Sequence, residues 1–448
     1  MSAARLALRI VVLGLMLACG CVSVGFGQAQ GAPANVAGDS SDLTPDSAYI
    51  SPTKYTNAFF GFSMELPKEL RWGTFSVNSG KNDTYFLCGA LVLREHKLTT
   101  VMMDAKRLDG EGEEAAREIV MRGRASERRV HEIEIAGRKF WFAEEVKTKN
   151  GTKMRDVTYA TPLDGSVLQI DIFSGDSKLA REIQRGVEEI KFFEPAKAAE
   201  MAGPDSKPFL TTRAHMAKAK ERLDELDMGS VTGNVYENDE LGFAYELPAG
   251  WIANDKATTD RAVEEGHQKA YGNQVWAARE HEMMKECTRT VFAATKYPVG
   301  SEQFENSHDK DLIYIMVLDP ACMPRAKFPT SVDDREALRR MAESELLVLT
   351  RWRGTSDVKP AVDGFEVQGH LMVQISESVP FGSGGNSHAD KEVFMAHEIT
   401  QLKGYWVAWS FMATSEAEID GMLKTRIKFE DAAAAQSAQP AVATQPKH

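Results

Sequence analysis

Three histidines, His370, His388 and His397, fall within 28 residues of one another, and Glu398 follows the last. Imidazole and carboxylate groups this close are the raw material of a zinc site, which needs three or four ligands converging on one point. The spacing does not promise convergence. Alternate residues of a strand face opposite ways. That places His370 with Glu366, Gln368 and Gln374 on a polar face, and His397 with Val393, Met395 and Ile399 on an apolar one. His281-Glu282 and His397-Glu398 open like the helical zinc motif of metalloproteases, but Lys285 and Gln401 stand where its second histidine belongs. His370, His388 and Glu398 remain candidate metal ligands; the plainer reading is one core histidine and two at the surface.

Other motifs are weaker. Gly110–Ala115, Gly-Glu-Gly-Glu-Glu-Ala, follows an expected strand and opens an expected helix, as a dinucleotide fingerprint would. Yet Asp109, Glu111, Glu113 and Glu114 would face the pyrophosphate, and acidic residues in a first turn are what the helix dipole favours without any ligand. The glycine-rich stretch 382–385 reads as a connection between strands. No GxSxG, P-loop or kinase signature is present. The sequence therefore names no catalytic residue and no cofactor.

The chain has five cysteines. Cys19 and Cys21 lie in the N-terminal apolar run. Cys287 and Cys322, without a CxxC, form no metal signature; they are a candidate disulfide in an oxidising compartment. Cys88, within the apolar Tyr-Phe-Leu-Cys-Gly-Ala-Leu-Val-Leu, reads as a small buried hydrophobe.

The compartment is argued from the N-terminus. Arg5 and Arg9 precede Ile10–Gly27, which carries no charge, and small and polar residues follow. Positive flank, apolar core and small-residue exit describe a secretory signal peptide over 1–29. Cys19 and Cys21 each half-match a lipoprotein cleavage box and are candidate lipidation sites. The run is also just long enough to persist as an anchor, so a membrane tether through the N-terminus is the second expectation.

The elements that position these residues come in two copies. Residues 55–67, YTNAFFGFSMELP, return at 236–248 as YENDELGFAYELP. The interval is far too long for a stacked solenoid, so it reads as a domain used twice. Further landmarks recur in order: a helical stretch, a glycine turn between strands (Ala136-Gly137, then Asp363-Gly364), and a closing Ile-Lys-Phe at 190–192 and 427–429. Within each copy the alternation predicts hairpin-linked strands with two helices, an α+β fold with a mainly antiparallel sheet rather than βαβ units. Trp406 and Trp409, three residues apart in the last strand, should face opposite sides, one beneath a helix and the other more readily filling a core than exposed. The organisation expected is signal peptide 1–29, flexible tether 30–50, first unit 51–194, linker 195–233, second unit 234–431 and a low-complexity, disordered tail 432–448. The linker holds a short amphipathic helix with Met216, Ala219, Leu223 and Leu226 on one side.

The pattern Tyr-x-Asn-x-x-x-Gly-Phe-x-x-Glu-Leu-Pro, with Trp72 or Trp251 soon after, resembles the opening of PsbP-like domains. That family is known for an extrinsic photosystem II subunit and includes many exported bacterial proteins. The resemblance covers 55–193 and 236–430 in order of elements. It implies two tandem α/β/α sandwich domains and an accessory or binding module more often than an enzyme. The matching positions are structural, so no catalytic residue transfers, and nothing supports a photosynthetic role.

A net charge of −12 without a dense basic run argues against nucleic acid as partner. The expected function is a non-enzymatic envelope protein binding a protein partner through the loops of its larger second copy. The alternative is a hydrolase or metal-dependent enzyme using His370, His388 and Glu398.

Overall fold

In the computed structural model the described residues are 42–72, 84–94, 97–107, 112–121, 130–149, 152–261, 287–306, 312–322, 327–342, 361–381, 391–413, 415–423 and 426–430. The signal peptide with Cys19 and Cys21, residues 30–41 of the tether, His388, the 382–385 stretch and the tail 432–448 lie outside them.

The first half runs β1 (Ala48–Ile50), β2 (Lys54–Asn57), β3 (Phe62–Glu65), β4 (Arg71–Trp72), β5 (Thr84–Arg94), β6 (Lys97–Arg107), a helix Gly112–Met121, β7 (Val130–Ile135), β8 (Arg138–Lys149), β9 (Thr152–Leu163), β10 (Ser166–Ser174), a helix Ser177–Glu188 and β11 (Lys191–Phe192). A bridge follows, with a short helix Ala198–Ala202, β12 (Lys207–Phe209) and a longer helix Arg213–Glu225. The second half runs β13 (Ser230–Thr232), β14 (Val235–Asn238), β15 (Phe243–Glu246), β16 (Ile252–Ala253), β17 (Thr288–Thr295), β18 (Leu312–Leu318), β19 (Ala361–Val367), β20 (His370–Phe381), β21 (Lys391–Leu402), β22 (Tyr405–Ala413), a helix Glu416–Leu423 and β23 (Ile427–Phe429).

Each half has one large and one small antiparallel sheet. The large sheets have the orders β4-β5-β6-β10-β9-β8-β7 and β16-β17-β18-β22-β21-β20-β19, which correspond strand for strand. The small sheets are β11-β3-β2-β1-β12 and β23-β15-β14-β13. The order of strands is thus the same in both halves, and the fold is α+β with two sandwich-like halves. In the first half Tyr55, Phe62 and Met64 of the small sheet pack against Val101, Ile170 and Phe140 of the large one. Leu179, Ile183 and Val187, the apolar stripe of the helix Ser177–Glu188, close the same core. The other face of the large sheet takes Ala116 and Val120 of the helix Gly112–Met121. Burying each large side chain contributes ~1.5–3 kcal/mol, so the period-two and period-3.6 patterns are enough to hold these layers together.

The repeated motif has a local physical reason. Asn57 Oδ1 accepts from the backbone of Phe59 and Phe60, while its Nδ2 donates to Pro45 O and the Tyr55 hydroxyl. Asn238 does the same for Leu241, Asp227 and the Tyr236 hydroxyl. The turn ends at Gly61 (φ 67°) and Gly242 (φ 72°), in the left-handed region that glycine enters freely.

Hairpins in both halves use two-residue turns with consecutive positive φ, matching the twist of the paired strands. They are Ala136-Gly137 and Asp164-Gly165 in the first half, and Gln368-Gly369 and Lys403-Gly404 in the second. This corrects the expected turn at Asp363-Gly364. Gly364 lies inside β19 opposite Val373, and its missing Cβ makes room for Val332 and Leu338.

Two further expectations change. Residues 43–50 of the supposed tether are part of the fold: β1 pairs with β2 on one side and β12 on the other. Thr44 and Ser47 hydroxyls donate to Thr211 O, and Leu43 bridges Thr212. The linker divides likewise. Residues up to Thr212 belong with the first half, whereas Met216, Ala219 and Leu223 of the helix Arg213–Glu225 are buried in the cores of the second. That helix is fixed by Arg289, whose guanidinium donates to the C-terminal carbonyls of Leu223 and Asp224. Trp406 and Trp409 face opposite sides as expected, and both fill cores, the outer and inner respectively.

Candidate functional site

β17 carries a bulge between Thr290 and Phe292, and β5 carries one at the matching place between Phe86 and Cys88. A bulge bends its strand and re-aims neighbouring side chains. In the second half Phe292 moves beneath Tyr236, the rings stacked at 4.5 Å. In the first half the corresponding Tyr55 sits beside Trp72 instead, 5.9 Å between centroids, with Trp72 Nε1 bonded to Ser51 O.

Around the second-half bulge lies a cleft of about 210 Å³. The buried Tyr236, Val291, Phe292 and Thr259 line it together with the exposed Val231 of β13 and Lys256 and the half-buried Asn254. Val231 is 43% exposed, a large apolar side chain facing water at the mouth. The cleft is apolar below and polar at its edge, the usual composition of a binding site, though small for one.

Its titratable groups are all engaged. The Tyr236 hydroxyl donates to Met228 O, and burial pushes its pKa up to about 12, so it is a neutral donor. Asp255 accepts from the Thr258 amide, a bond that holds its carboxyl below the usual range. Lys256 pairs with Asp260 one helical turn on. This cleft can bind a side chain.

The sequence-predicted metal candidates are not brought together. His370 opens β20, and its ring lies 4.1 Å from that of Phe429 in the inner core. Glu398 also faces inward, opposite Trp409 and Gln374, and is wholly buried. Gln374 is four residues along the strand from His370, about 13 Å at ~3.3 Å per residue. The Tyr245 hydroxyl feels the Glu398 charge: burial above all, and Glu398 as well, hold it protonated against the opposing pull of Arg426. Among the described residues no group of three or more His, Cys, Asp or Glu side chains is arranged to hold a metal ion. Cys287 is buried and disulfide-bonded; the Cys322 side chain lies outside the described ones.

His397 is on the opposite, outer face. Its Nδ1 is 2.8 Å from Ser410 Oγ, and Nε2 has no hydrogen-bond partner among the described residues. A serine–histidine pair suggests nucleophilic catalysis. Here the pair is buried in the core, at 2% and 1% exposure. Sequence reasoning located both histidines but missed the cleft, because a bulge leaves no residue-type signature.

The chain matches no protein-family model and no curated protein. Among solved structures, a protein of Bacteroides thetaiotaomicron VPI-5482 is similar over 39% of this chain, at 11% identity and a TM-score of 0.22. The match spans 60% of that protein's own length. LpqN, involved in cell envelope biogenesis of Mycobacterium tuberculosis, is similar over 30% of this chain and 83% of its own, at 10% identity and a TM-score of 0.21. At these scores neither likeness informs function.

Proposed function

We propose that the chain is an exported, non-enzymatic protein of the cell envelope, built of two tandem PsbP-like domains, that holds a protein partner through its second half. One observation carries the reading. Among the described residues His397 and Ser410 lie on one face of a packed sheet and Glu398 and His370 on the other, while the open cleft is an apolar hollow with polar groups around it. Export rests on the charge and apolar pattern of residues 1–29. In an oxidising compartment Cys287 pairs with Cys322, and Cys19 or Cys21 supplies a lipid tether if the leader is cut before it.

Crosslinking and capture from the native envelope tests this. Val231→Asp, at an exposed position of the cleft, should remove a stoichiometric partner that wild type and His397→Gln retain. Undiminished capture by the cleft variant, or labelling of Ser410 by a serine-reactive probe, would overturn the reading.

A further inference from the structure

The two small sheets differ in one respect. In the first half, β1 is covered by β12, with Ala48 opposite Phe209, Tyr49 opposite Pro208 and Ile50 opposite Lys207. β13 is the counterpart of β1: Val231 faces Tyr236 as Ile50 faces Tyr55. Among the described residues β13 is the last strand of its sheet. Ser230, Val231 and Thr232 are all exposed. An uncovered edge strand offers a row of backbone donors and acceptors, the template for strand addition.

The surroundings select what can be added. From Asp227 to Glu246 there are five carboxylates, Asp227, Glu237, Asp239, Glu240 and Glu246, and no lysine or arginine. The first four are exposed, and Glu237 stands directly opposite Ser230. Lys428 of β23 is on the far side of the sheet, beyond β14 and β15. An acidic edge repels acidic strands and favours a cationic one. The cleft lies against the same strand, since Ser230 and Val231 line it. Side chains alternate along an added strand, so the residue opposite Val231 would face the cleft.

Resting on the binding reading above, we infer that the edge of β13 takes an extended, lysine-bearing segment of a partner polypeptide as a fifth strand, with one apolar side chain of that segment in the cleft. The chain's own β12, Lys-Pro-Phe, shows the chemistry that the matching edge accepts.

The probe is a fluorescent peptide of residues 206–211, Ser-Lys-Pro-Phe-Leu-Thr, titrated onto the full chain. Binding should weaken at least about tenfold with Val231→Pro, which removes an edge amide, and similarly with Glu237→Lys. It should fall with added salt, because exposed charges are screened. Hydrogen exchange should slow at Ser230–Thr232, and Val231→Pro should melt with wild type, its site being peripheral. Equal binding to Val231→Pro, protection elsewhere, or no binding by the lysine peptide would overturn the inference. A full-length Lys447→Glu, His448→Glu variant that binds the probe more tightly would show the edge filled in cis by the tail, and would also overturn it. If envelope capture is lost in Val231→Asp but kept in Val231→Pro, the binding reading stands and strand addition alone falls.

Discussion

His397 Nδ1 lies 2.8 Å from the Ser410 hydroxyl in the middle of the second large sheet, and both groups are cut off from water. Tyr314 is paired across from Ser410, and Ile375 across from His397, so neither residue directly opposite this pair is a carboxylate. Burial lowers the His397 pKa from 6.5 to about 4.

That shift has a sign for stability. The folded state holds His397 neutral, while the unfolded chain protonates it below about pH 6.5. The stability associated with a neutral His397 is therefore fully present above about pH 6.5, declines as pH falls, and is lost by about pH 4. A shift of this size corresponds to roughly 3 kcal/mol. Urea unfolding of wild type and His397→Gln between pH 7.5 and 4 should show the wild-type advantage shrinking over that window. A constant difference would mean that His397 does not titrate on unfolding.

Arg222 and Asp319 anchor the bridging helix to the second half. The Asp319 carboxylate is fully buried, accepts from Arg222, and also accepts from the Ala321 amide at 2.9 Å. Arg222 is 44% exposed and lies over the Tyr405 ring. Removing one partner of a buried pair costs ~3–5 kcal/mol; exposure of the arginine reduces this to ~1–3 kcal/mol. Arg222→Ala should lose that much in chemical denaturation and should free the helix Arg213–Glu225 for hydrogen exchange. An unchanged exchange pattern would assign its docking to Met216, Ala219 and Leu223 alone.

Much of this architecture was legible because it rests on local rules. Tyr-x-Asn, Gly61 and Gly242 specify the same turn twice, and period-two alternation separates His370 from His397, although the face read as polar for His370 is the one that meets Phe429 of the inner core. What failed was decided by distant contacts. Gly364 looked like a turn residue, yet it is glycine because Val332 and Leu338 press against its strand. Residues 43–50 looked like a tether by composition, but β12, some 160 residues later, turns them into a strand. The cleft depends on the β17 bulge, which is a matter of register and not of residue type.

Two glycines separate steric need from backbone preference. Gly186, in the helix Ser177–Glu188, would place a Cβ 2.2 Å from Glu65 O of β3, so Ala there must push the helix off the sheet. Gly137 has φ 76° but nothing within 4 Å of a Cβ. Gly186→Ala should cost ~2–4 kcal/mol through overpacking, and Gly137→Ala about 1 kcal/mol through the left-handed backbone alone. Thermal unfolding of the two variants should rank them in that order. Equal losses would show that the helix can slide along β3.

The metal question has a direct test. His370 and Glu398 face the same side of the sheet but are separated by four residues of strand, and His397 faces the other side. Zinc needs ligands at ~2.0–2.3 Å, which these side chains cannot supply together without remaking the sheet. After dialysis against a chelator the protein should carry no stoichiometric zinc by elemental analysis, and its melting temperature should not move on adding the metal back. One zinc per chain, with a higher melting temperature in its presence, would place ligands outside the described residues and revive His388 as one of them.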